Sequence, residues 1–392
     1  MLPALARLSV PLVLLVVSLA GCSLDDEEPQ PPRPNIVGEV PTVEEPGPSP
    51  SATRNTVRVG GIDAAADAAG VAGALFPATD ERDRPTAVAL VDQADWVTGI
   101  AASVLAGPPI EAPLLISDGD TLPDVTTEML ERLGPRGSRL SRGAQVIRLG
   151  QDVARPEGYK TAVVKGADPF ERAAAIDRFF SAARGRPSDD VVLYSAESPE
   201  WAMPAAAWAG RSGDAALPVR ATAIPGPIRR ALEDHERPNV YLLGPRRIIS
   251  GRVAKLLETE RLASSVERIA GPTSVENAIA FARYEKGDFG WGVDIPGYNF
   301  SVANISRPLD AAAAASLATR GVFAPLLLTD EPEQLPRPLE RYFLSVQPGY
   351  EDDPGEAVYN RAWILGDEQA ISFSQQARID RVTELIPVQG VP

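Results

Sequence analysis

The chain has 392 residues, of which 44% are hydrophobic and 23% charged, so it is long enough for two or three packed domains. Its single histidine, His235, and single cysteine, Cys22, exclude the usual histidine and thiolate metal sites and an intrachain disulfide. They also count against a Ser-His-Asp or Cys-His enzyme. The formal net charge of −15 argues against a nucleic-acid partner, because such partners are held by basic residues. We therefore expect no cofactor, no metal site and no bound nucleic acid.

The first 21 residues have the features of a secretory signal peptide. Arg7 precedes an apolar run of thirteen residues, from Leu8 to Ala20, which suits a signal peptide and is short for a membrane span. The run ends in Leu19-Ala20-Gly21-Cys22, which resembles the lipobox of bacterial lipoproteins. The resemblance implies that residues 1–21 are removed and that a diacylglyceryl group on Cys22 anchors the protein to the outer face of the bacterial cell membrane. The alternative is an ordinary signal peptide with an incidental cysteine.

Residues 22–55 are predicted to form an extended, lipid-anchored tether. Between residues 23 and 50 lie eight prolines and the acidic run Asp25-Asp26-Glu27-Glu28. Segments of this composition bury too little apolar surface to offset the chain entropy that is lost on folding. The part from residue 51 onward keeps a net charge of about −10. We interpret the tether as a spacer that lifts a folded part off a membrane.

An internal repeat organises the rest of the chain. Gly61, Gly166 and Gly271 are each 105 residues apart, and each follows a strand-like segment and precedes an Ala-rich stretch. After 37, 37 and 39 residues, a small-residue run opens at Thr98, Met203 and Asp310 respectively. The other landmarks that recur in the same order are Pro113, Pro218 and Pro325, and the strand-ending Leu-Gly pairs at Gly150, Gly244 and Gly366. These landmarks predict three repeats, at residues 56–160, 161–265 and 266–392.

Each repeat alternates strand-like and helix-like segments. The middle strands, such as residues 86–91 and 191–194, are continuous apolar runs, which are typical of parallel strands covered by helices on both faces. Strands that alternate with helices of 10–15 residues predict the same architecture. We therefore expect an α/β fold of three tandem Rossmann-like parallel-sheet subdomains, each of roughly 100 residues.

The landmarks resemble those of the cell wall-binding repeat type 2 family of Gram-positive cell-wall proteins. The third repeat carries the resemblance most fully, in Arg268-Ile-Ala-Gly271, Leu309-Asp-Ala-Ala312 and Ala324-Pro-Leu-Leu-Leu328. The likeness extends over about residues 56–385. It implies three copies in a compact pseudo-threefold unit that binds an anionic cell-wall polymer non-covalently.

The repeats also depart from the family pattern. The first-motif threonine of the family is replaced by Asp67, Arg172 and Asn277, and the aspartate before the small-residue run is kept only as Asp310. The resemblance therefore indicates the fold more directly than the ligand.

Several landmark residues have structural interpretations. Thr98 and Asp310 precede helical Ala runs and are predicted to cap those helices, whereas Met203 is followed by Pro204, which suits a first helical position. The landmark glycines are predicted to let each strand turn tightly into its helix, because no phosphate-binding glycine pattern surrounds them. His235 lies in a polar segment, and we predict an exposed rather than a catalytic histidine.

Basic residues cluster in the second repeat despite the acidic net charge. The group consists of Arg229, Arg230, Arg246, Arg247 and Arg252. Guanidinium groups suit phosphate or carboxylate groups of a polymer. We predict that these five arginines, together with Asp310, bind the ligand. The alternative is a set of arginines that are solvated or paired with nearby acidic residues.

The sequence favours a non-catalytic, lipid-anchored cell-envelope protein whose three repeats bind cell-wall glycopolymer or peptidoglycan. The alternative is the solute-binding lipoprotein of an importer, because length, anchor, tether and α/β content fit that class as well. Two-lobed binding proteins should show two halves and a hinge, whereas this sequence has three copies. A wall-degrading enzyme would need a separate catalytic domain, for which residues 51–392 leave no room.

Overall fold

Three parallel sheets form the framework of the computed structural model, which describes residues 51–388. The predicted signal peptide, Cys22 and the tether up to residue 50 lie outside the described residues. The strands are β1 Ser51–Ala52, β2 Thr56–Val59, β3 Val88–Asp92, β4 Leu114–Ser117, β5 Val146–Leu149, β6 Thr161–Val164, β7 Asp190–Ser195, β8 Ala215–Val219, β9 Asn239–Leu243, β10 Ser265–Ile269, β11 Glu285–Lys286, β12 Phe289–Gly290, β13 Asn299–Asn304, β14 Leu326–Thr329, β15 Gly349–Tyr350, β16 Arg361–Leu365 and β17 Ile386–Pro387.

Helices follow most of these strands. The α-helices are α1 Ala64–Leu75, α2 Trp96–Ala102, α3 Asp124–Leu133, α4 Pro169–Arg184, α5 Pro199–Ala202, α6 Pro204–Ser212, α7 Gly226–Asp234, α8 Gly251–Thr259, α9 Ser274–Arg283, α10 Leu309–Thr319, α11 Arg337–Ser345 and α12 Phe373–Val382. Short 3-10 helices lie at Glu81–Asp83, Ser103–Ala106, Arg139–Ser141 and Pro354–Glu356.

The three sheets have the same spatial order of strands. The first runs β4-β3-β5-β6, the second β8-β7-β9-β10 and the third β14-β13-β16-β2, with β1 added antiparallel to β2. All other pairings within these sheets are parallel. The predicted α/β fold of three Rossmann-like parallel-sheet subdomains in a pseudo-threefold arrangement is therefore confirmed.

The strand that opens each predicted repeat belongs to the sheet of the repeat before it. β6 opens the second repeat and pairs with β5, and β10 opens the third repeat and pairs with β9. β2 opens the first repeat and pairs with β16 of the third, with Thr56 beside Ala362 and Val59 beside Leu365. The three repeats therefore close into a ring in which every sheet draws strands from two repeats.

The helix after each opening strand crosses from one sheet to the next. α1 follows β2 but packs on β4, α4 follows β6 but packs on β8, and α9 follows β10 but packs on β14. Each junction between repeats is thus held twice, by strand pairing on one side and by helix packing on the other.

Burial explains the composition of the strands. From Val88 to Val91 in β3 and from Leu326 to Leu328 in β14, no side chain is more than 2% exposed. Strands covered on both faces need apolar residues at every position rather than at alternate ones. Pro218 lies within β8, an edge strand, where a missing N–H leaves no ladder bond unmade on the outer side.

Three helices built from small residues pack against one another between the sheets. They are α2 with the 3-10 turn that follows it, α6 and α10, which contain the predicted small-residue runs. A β-carbon at Gly107 would lie 2.4 Å from the carbonyl oxygen of Gly210, and one at Gly210 would lie 2.8 Å from that of Ala315. Backbones this close leave no room for side chains, so the Ala and Gly content of the runs is a packing requirement.

A hairpin between α9 and β13 distinguishes the third repeat in the described part of the chain. Its strands β11 and β12 pair antiparallel. Phe289 of β12 is buried, stacks on Tyr241 of β9 with ring centres 3.4 Å apart, and lies 4.9 Å from the ring of Trp208 in α6. Aromatic packing thus fixes the hairpin against the second repeat.

Between residues 51 and 388, none of the helices has the length and apolarity needed to cross a membrane. The same residues contain no cluster of three or more His, Cys, Asp or Glu side chains arranged to hold a metal ion.

Gly210→Ala should destabilise the protein by about 1–3 kcal/mol, because the added methyl group meets the backbone of α10 and forces the central helices apart. The measurement is the free energy of unfolding in urea. Gly251→Ala is the matched control, since Gly251 is also helical and a β-carbon added there would meet no atom within 4 Å. Equal unfolding midpoints for Gly210→Ala and wild type would contradict the close approach of α6 and α10.

Candidate functional site

The predicted helix caps at Thr98 and Asp310 are wrong. Helix α2 begins two residues before Thr98, and the side chain of Asp95 caps it by accepting the Thr98 backbone N–H at 3.0 Å. Helix α10 follows Pro308, so Asp310 lies inside its first turn. Met203 does precede α6, with Pro204 in the first helical position as predicted. The three landmarks lie where the central helix of one repeat meets the opening segment of the next.

At the junction of the third and first repeats, one arginine faces three carboxylates, which we call the closing cluster: Asp67, Arg307, Asp310 and Asp367. Arg307 Nη2 lies 2.7 Å from Asp67 Oδ2, Nε lies 3.5 Å from Asp310 Oδ2, and Nη1 lies 3.2 Å from Asp367 Oδ1. The side chains of Asp67 and Asp310 are fully buried. Asp67 also accepts the backbone N–H of Gly61 at 2.6 Å, which ties the end of β2 to α1.

Burial governs the ionisation of the closing cluster. It raises the pKa of both Asp67 and Asp310 above the usual aspartate value, and the charge of Asp67 raises the pKa of Asp310 further, against the opposing effect of Arg307. Neither side-chain oxygen of Asp310 has a hydrogen-bond partner of normal geometry among the described residues. A proton on Asp310 removes one of two buried like charges and supplies a donor for Asp67, so the pair titrates as a unit.

At the junction of the first and second repeats, the position equivalent to Asp67 carries a positive charge instead of a negative one. Arg172 stands there, and its Nε donates to Asp95 Oδ2 at 2.9 Å and to Thr98 Oγ1 at 3.1 Å. The ion pair is mostly buried, with Arg172 18% and Asp95 13% exposed. Thr98, predicted as a cap, is therefore a hydrogen-bond partner across this junction.

The junction of the second and third repeats is uncharged at the same positions. Asn277 stands where the first repeat has Asp67, and its Oδ1 accepts the backbone N–H of Gly271 at 3.1 Å. The landmark of the second repeat that is equivalent to Thr98 and Asp310 is Met203, which is fully buried. The three residues that replace the family's first-motif threonine, Asp67, Arg172 and Asn277, thus lie at three junctions of different chemistry.

Two other landmarks meet across the junctions. Arg58 Nη1 donates to the carbonyl oxygen of Gly366 at 2.7 Å, and Arg268 Nη1 donates to that of Gly244 at 2.6 Å. In both cases an arginine of the opening strand holds the glycine that ends a strand of the preceding repeat. These residues begin and end a repeat in the sequence, but in the fold they are partners.

The landmark glycines at 166 and 271 are required by close approach rather than by a special backbone conformation. Neither has a positive φ. A β-carbon at Gly166 would lie 2.4 Å from the backbone nitrogen of Arg172, and one at Gly271 would lie 2.4 Å from that of Asn277. The opening strand therefore ends directly against the first turn of its helix.

The five predicted arginines fall into two groups. Arg229 is half-buried and paired with Glu260, and Arg247 lies over Trp201, with its guanidinium carbon 4.8 Å from the ring centre. Arg230, Arg246 and Arg252 are exposed and have no ion-pair partner within residues 51–388. Asp310 is not with them, because its ion-pair partner in the closing cluster is Arg307. Arg247 is exposed as well and has no ion-pair partner in the described part of the chain. Polymer binding by these arginines and Asp310 stays a prediction, and all of the five arginines except Arg229 have charge available to a ligand.

The prediction that His235 is exposed is wrong. Its side chain is buried, Nε2 lies 3.0 Å from both carboxylate oxygens of Asp177, and Nδ1 lies 2.8 Å from the Ser188 carbonyl oxygen. Both ring nitrogens therefore face acceptors, which suits the doubly protonated ring. Burial alone would lower the pKa of His235, but the hydrogen bond and charge of Asp177, with the Ser188 carbonyl, outweigh it and raise the pKa.

A cleft of about 720 Å³ lies between the second and third repeats and was not predicted from the sequence. It is bordered by the ends of α4 and α6, the starts of β7, β8 and β13, and the hairpin of the third repeat. Its lining residues are Arg184, Arg186, Asp189, Asp190, Trp208, Arg211, Ser212, Asp214, Asp288, Gly290, Trp291, Gly297, Tyr298, Asn299, Val322 and Phe323. The available signal was the longer spacing before Asp310, 39 residues instead of 37, which accompanies the hairpin and Trp291.

The buried pair of Asp67 and Asp310 should make the free energy of unfolding decrease as pH rises, and Asp310→Asn should make this decrease smaller. Because its carboxyls have raised pKa values in the folded state, the folded protein binds more protons than the unfolded chain above about pH 4, and stability falls with rising pH. We expect the variant to gain on the order of 1–3 kcal/mol on wild type between about pH 4 and pH 7 in urea unfolding.

Asp63→Asn is the matched control for this comparison. Asp63 caps α1, the helix that contains Asp67, but it is exposed, and asparagine caps equally well. A difference between Asp310→Asn and wild type that does not change with pH would contradict the shared proton.

The single histidine offers a direct test of its buried ion pair. In the untagged protein, the one imidazole signal in the proton NMR spectrum should titrate above the usual pKa of about 6.5, because Asp177 stabilises the charged ring. Asp177→Asn should lower the pKa of His235 below the usual value, since burial then dominates. Asp189→Asn is the control, because Asp189 is an exposed carboxylate next to Ser188 in the loop between α4 and β7. An unchanged titration in Asp177→Asn would rule out the ion pair.

The fold is shared with two solved structures from Clostridium difficile. Cwp8 is 20% identical to this chain with a TM-score of 0.63, and the match covers 84% of this chain and 52% of Cwp8. Cwp6 is 15% identical with a TM-score of 0.63, and the match covers 84% of this chain and 47% of Cwp6. No protein-family model and no curated protein sequence matches the chain. The chain therefore has the fold of these two proteins and spans about half of their length.

Proposed function

We propose that this is a non-catalytic protein of the bacterial cell envelope that binds cell-wall glycopolymer or peptidoglycan through its ring of three repeats. The observation that carries the proposal is the pairing of repeat landmarks across the junctions: Arg268 pairs with Gly244, and Arg58, which stands three residues before Gly61 as Arg268 does before Gly271, pairs with Gly366. Arg268, one of the residues on which the resemblance to the cell wall-binding repeat rests, is therefore also one that joins two repeats. The fold shared with Cwp8 and Cwp6 supports the same proposal.

The proposal includes the lipid anchor. A signal peptide ending in the Leu19-Ala20-Gly21-Cys22 box, followed by a Pro-rich acidic segment, would hold the ring outside the membrane but close to it. A wall polymer lies within reach of a protein tethered in this way.

The solute-binding alternative has less support. It is expected to have two lobes joined by a hinge, whereas residues 51–388 form three equivalent sheets closed into a ring. For the absence of catalysis, the supporting observation is that His235 is held in a buried ion pair and is not aimed into the cleft.

The protein should sediment with purified cell walls, and the exposed arginines should contribute to this retention. Arg246→Gln combined with Arg252→Gln should weaken retention about tenfold, which is ~1.4 kcal/mol, if the polymer is anionic. Comparing walls before and after extraction of anionic polymers identifies which wall component binds.

The matched control is Arg246→Lys with Arg252→Lys, which keeps both positive charges. Wild-type protein that stays in the supernatant with every wall preparation would refute the proposed function. Equal retention of the glutamine and lysine variants would show that the charges of Arg246 and Arg252 do not contribute to binding.

Cys22→Ser should move the protein from the membrane fraction to the soluble fraction, because the thiol that carries the diacylglyceryl group is gone. The measurement is fractionation combined with metabolic labelling by a palmitate analogue. Ser23→Ala, beside the predicted lipid site, is the control. Equal labelling of wild type and Cys22→Ser would show that the anchor is misassigned.

A further inference from the structure

The cleft between the second and third repeats has the size and rigidity of a ligand site. Its volume of about 720 Å³ falls within the range of about 300–1,000 Å³ that is usual for small-molecule clefts. Phe289 packs against Tyr241 and Trp208 behind the wall that the hairpin forms. Trp208 Nε1 in turn donates to the buried carboxylate of Asp214 at 3.0 Å. The walls are therefore fixed before any ligand arrives.

Three aromatic rings with solvent-accessible surface line this cleft. Trp291 and Tyr298 are half-buried, and Phe323 is 47% exposed. Trp291 is held edge-on against Trp208 with ring centres 5.5 Å apart, and the guanidinium carbon of Arg211 lies 4.9 Å from the ring centre of Phe323. Exposed aromatic side chains in a cleft offer flat apolar faces to a ligand.

Phe323 is also strained. Its φ of 54° lies in the left-handed region, which a bulky side chain rarely adopts. Such strain costs of order 1–3 kcal/mol and is concentrated at functional positions. At Phe323 the strained backbone places a ring at the cleft that is 47% exposed, so its burial in the free protein offsets the cost only in part.

The polar groups of the cleft suit hydroxyl groups better than anions. Four aspartates and three arginines line it, namely Asp189, Asp190, Asp214 and Asp288 with Arg184, Arg186 and Arg211. Arg186 is paired with Asp189 at 2.8 Å, and Arg184 donates to the Gly213 carbonyl oxygen at 3.1 Å. Arg186 and Asp189 neutralise each other, four aspartates against three arginines give the lining a formal charge of −1, and the whole chain carries −15. Such a lining offers a polyanion no surplus of positive charge, whereas hydroxyl groups can donate to its carboxylates and accept from its guanidinium groups.

We propose that this cleft binds an uncharged saccharide chain, with the rings of Trp291, Tyr298 and Phe323 stacked against the C–H faces of successive sugar units and the carboxylates and guanidinium groups bonded to their hydroxyls. A pyranose unit has an apolar face and a polar rim, which matches this combination of aromatic and charged side chains. The inference deepens and rests on the proposed function, because it names the part of a wall polymer that the ring would hold.

The test uses four uncharged tetrasaccharides, those of β-1,4-N-acetylglucosamine, β-1,4-glucose, α-1,4-glucose and α-1,6-mannose, and a glycerol phosphate oligomer as the anionic probe. Binding is measured by calorimetry and by the change in tryptophan fluorescence. We expect at least one tetrasaccharide to bind, with an affinity that does not change with salt, and the anionic oligomer not to bind in the cleft. Trp291→Ala and Phe323→Ala should each weaken that binding tenfold or more.

Phe373→Ala is the matched control, because Phe373 is 56% exposed and lies outside the cleft. Phe323→Ala relieves strain, so it remains informative if Trp291→Ala fails to fold. The inference is overturned if none of the tetrasaccharides binds, if Phe323→Ala binds as tightly as Phe373→Ala, or if the anionic oligomer binds and Phe323→Ala abolishes that binding.

The two proposals fail in different ways. Wild-type protein that sediments with walls but binds no tetrasaccharide overturns the cleft assignment and leaves the proposed function standing. Protein that binds a tetrasaccharide through Phe323 but does not sediment with walls supports the cleft and overturns the proposed function.

Discussion

The hydrogen bonds between each opening strand and the sheet of the preceding repeat are the constraint on which the structure depends. Without β6, β10 or β2, the corresponding sheet would lose its fourth strand and expose the edge of β5, β9 or β16. Buried backbone groups must be paired, so no repeat is complete until its neighbour has formed. The last of these pairings joins Thr56 to Ala362, at opposite ends of the described chain. This pairing has a very long sequence separation, which favours slow and cooperative folding.

The different chemistry of the three junctions specifies which repeat packs beside which. An arginine facing three carboxylates closes the third repeat on the first, an Arg172–Asp95 pair joins the first to the second, and Asn277 beside Met203 joins the second to the third. Exchanging any two partners would leave a buried charge unpaired or bring like charges together, which costs more than a matched pair gains. We interpret the buried charges as devices that keep three similar repeats in sequence, while the small-residue helices supply most of the packing.

The sequence predicts what depends on local pattern and misses what depends on distant partners. Periodic glycines, proline landmarks and continuous apolar strands were sufficient to predict three parallel-sheet subdomains. The caps at Thr98 and Asp310 were misplaced because Asp95 and Pro308, a few residues earlier, begin those helices. His235 was predicted as exposed because its acidic sequence neighbours are not its partners, and Asp177 and Ser188 are 58 and 47 residues away. The longer spacing before Asp310 indicates an insertion, but no local pattern indicates that the inserted hairpin packs on another repeat and so forms the cleft.

The closure of the ring by β2 also has a mechanical consequence. The residues just before this strand are held by the last helix, with the Asn55 backbone N–H donating to Asp380 Oδ1 at 2.7 Å and Arg54 paired with Glu384. Any pull transmitted along the chain from residues before Ser51 therefore acts first on β1 and on these contacts, and then on the seam between β2 and β16. Tension that peeled β2 away would remove the outer strand of the third sheet and leave β16 as an unprotected sheet edge, the kind of surface to which a strand of another chain can add. The seam is thus the element whose strength sets how much load the folded ring can bear.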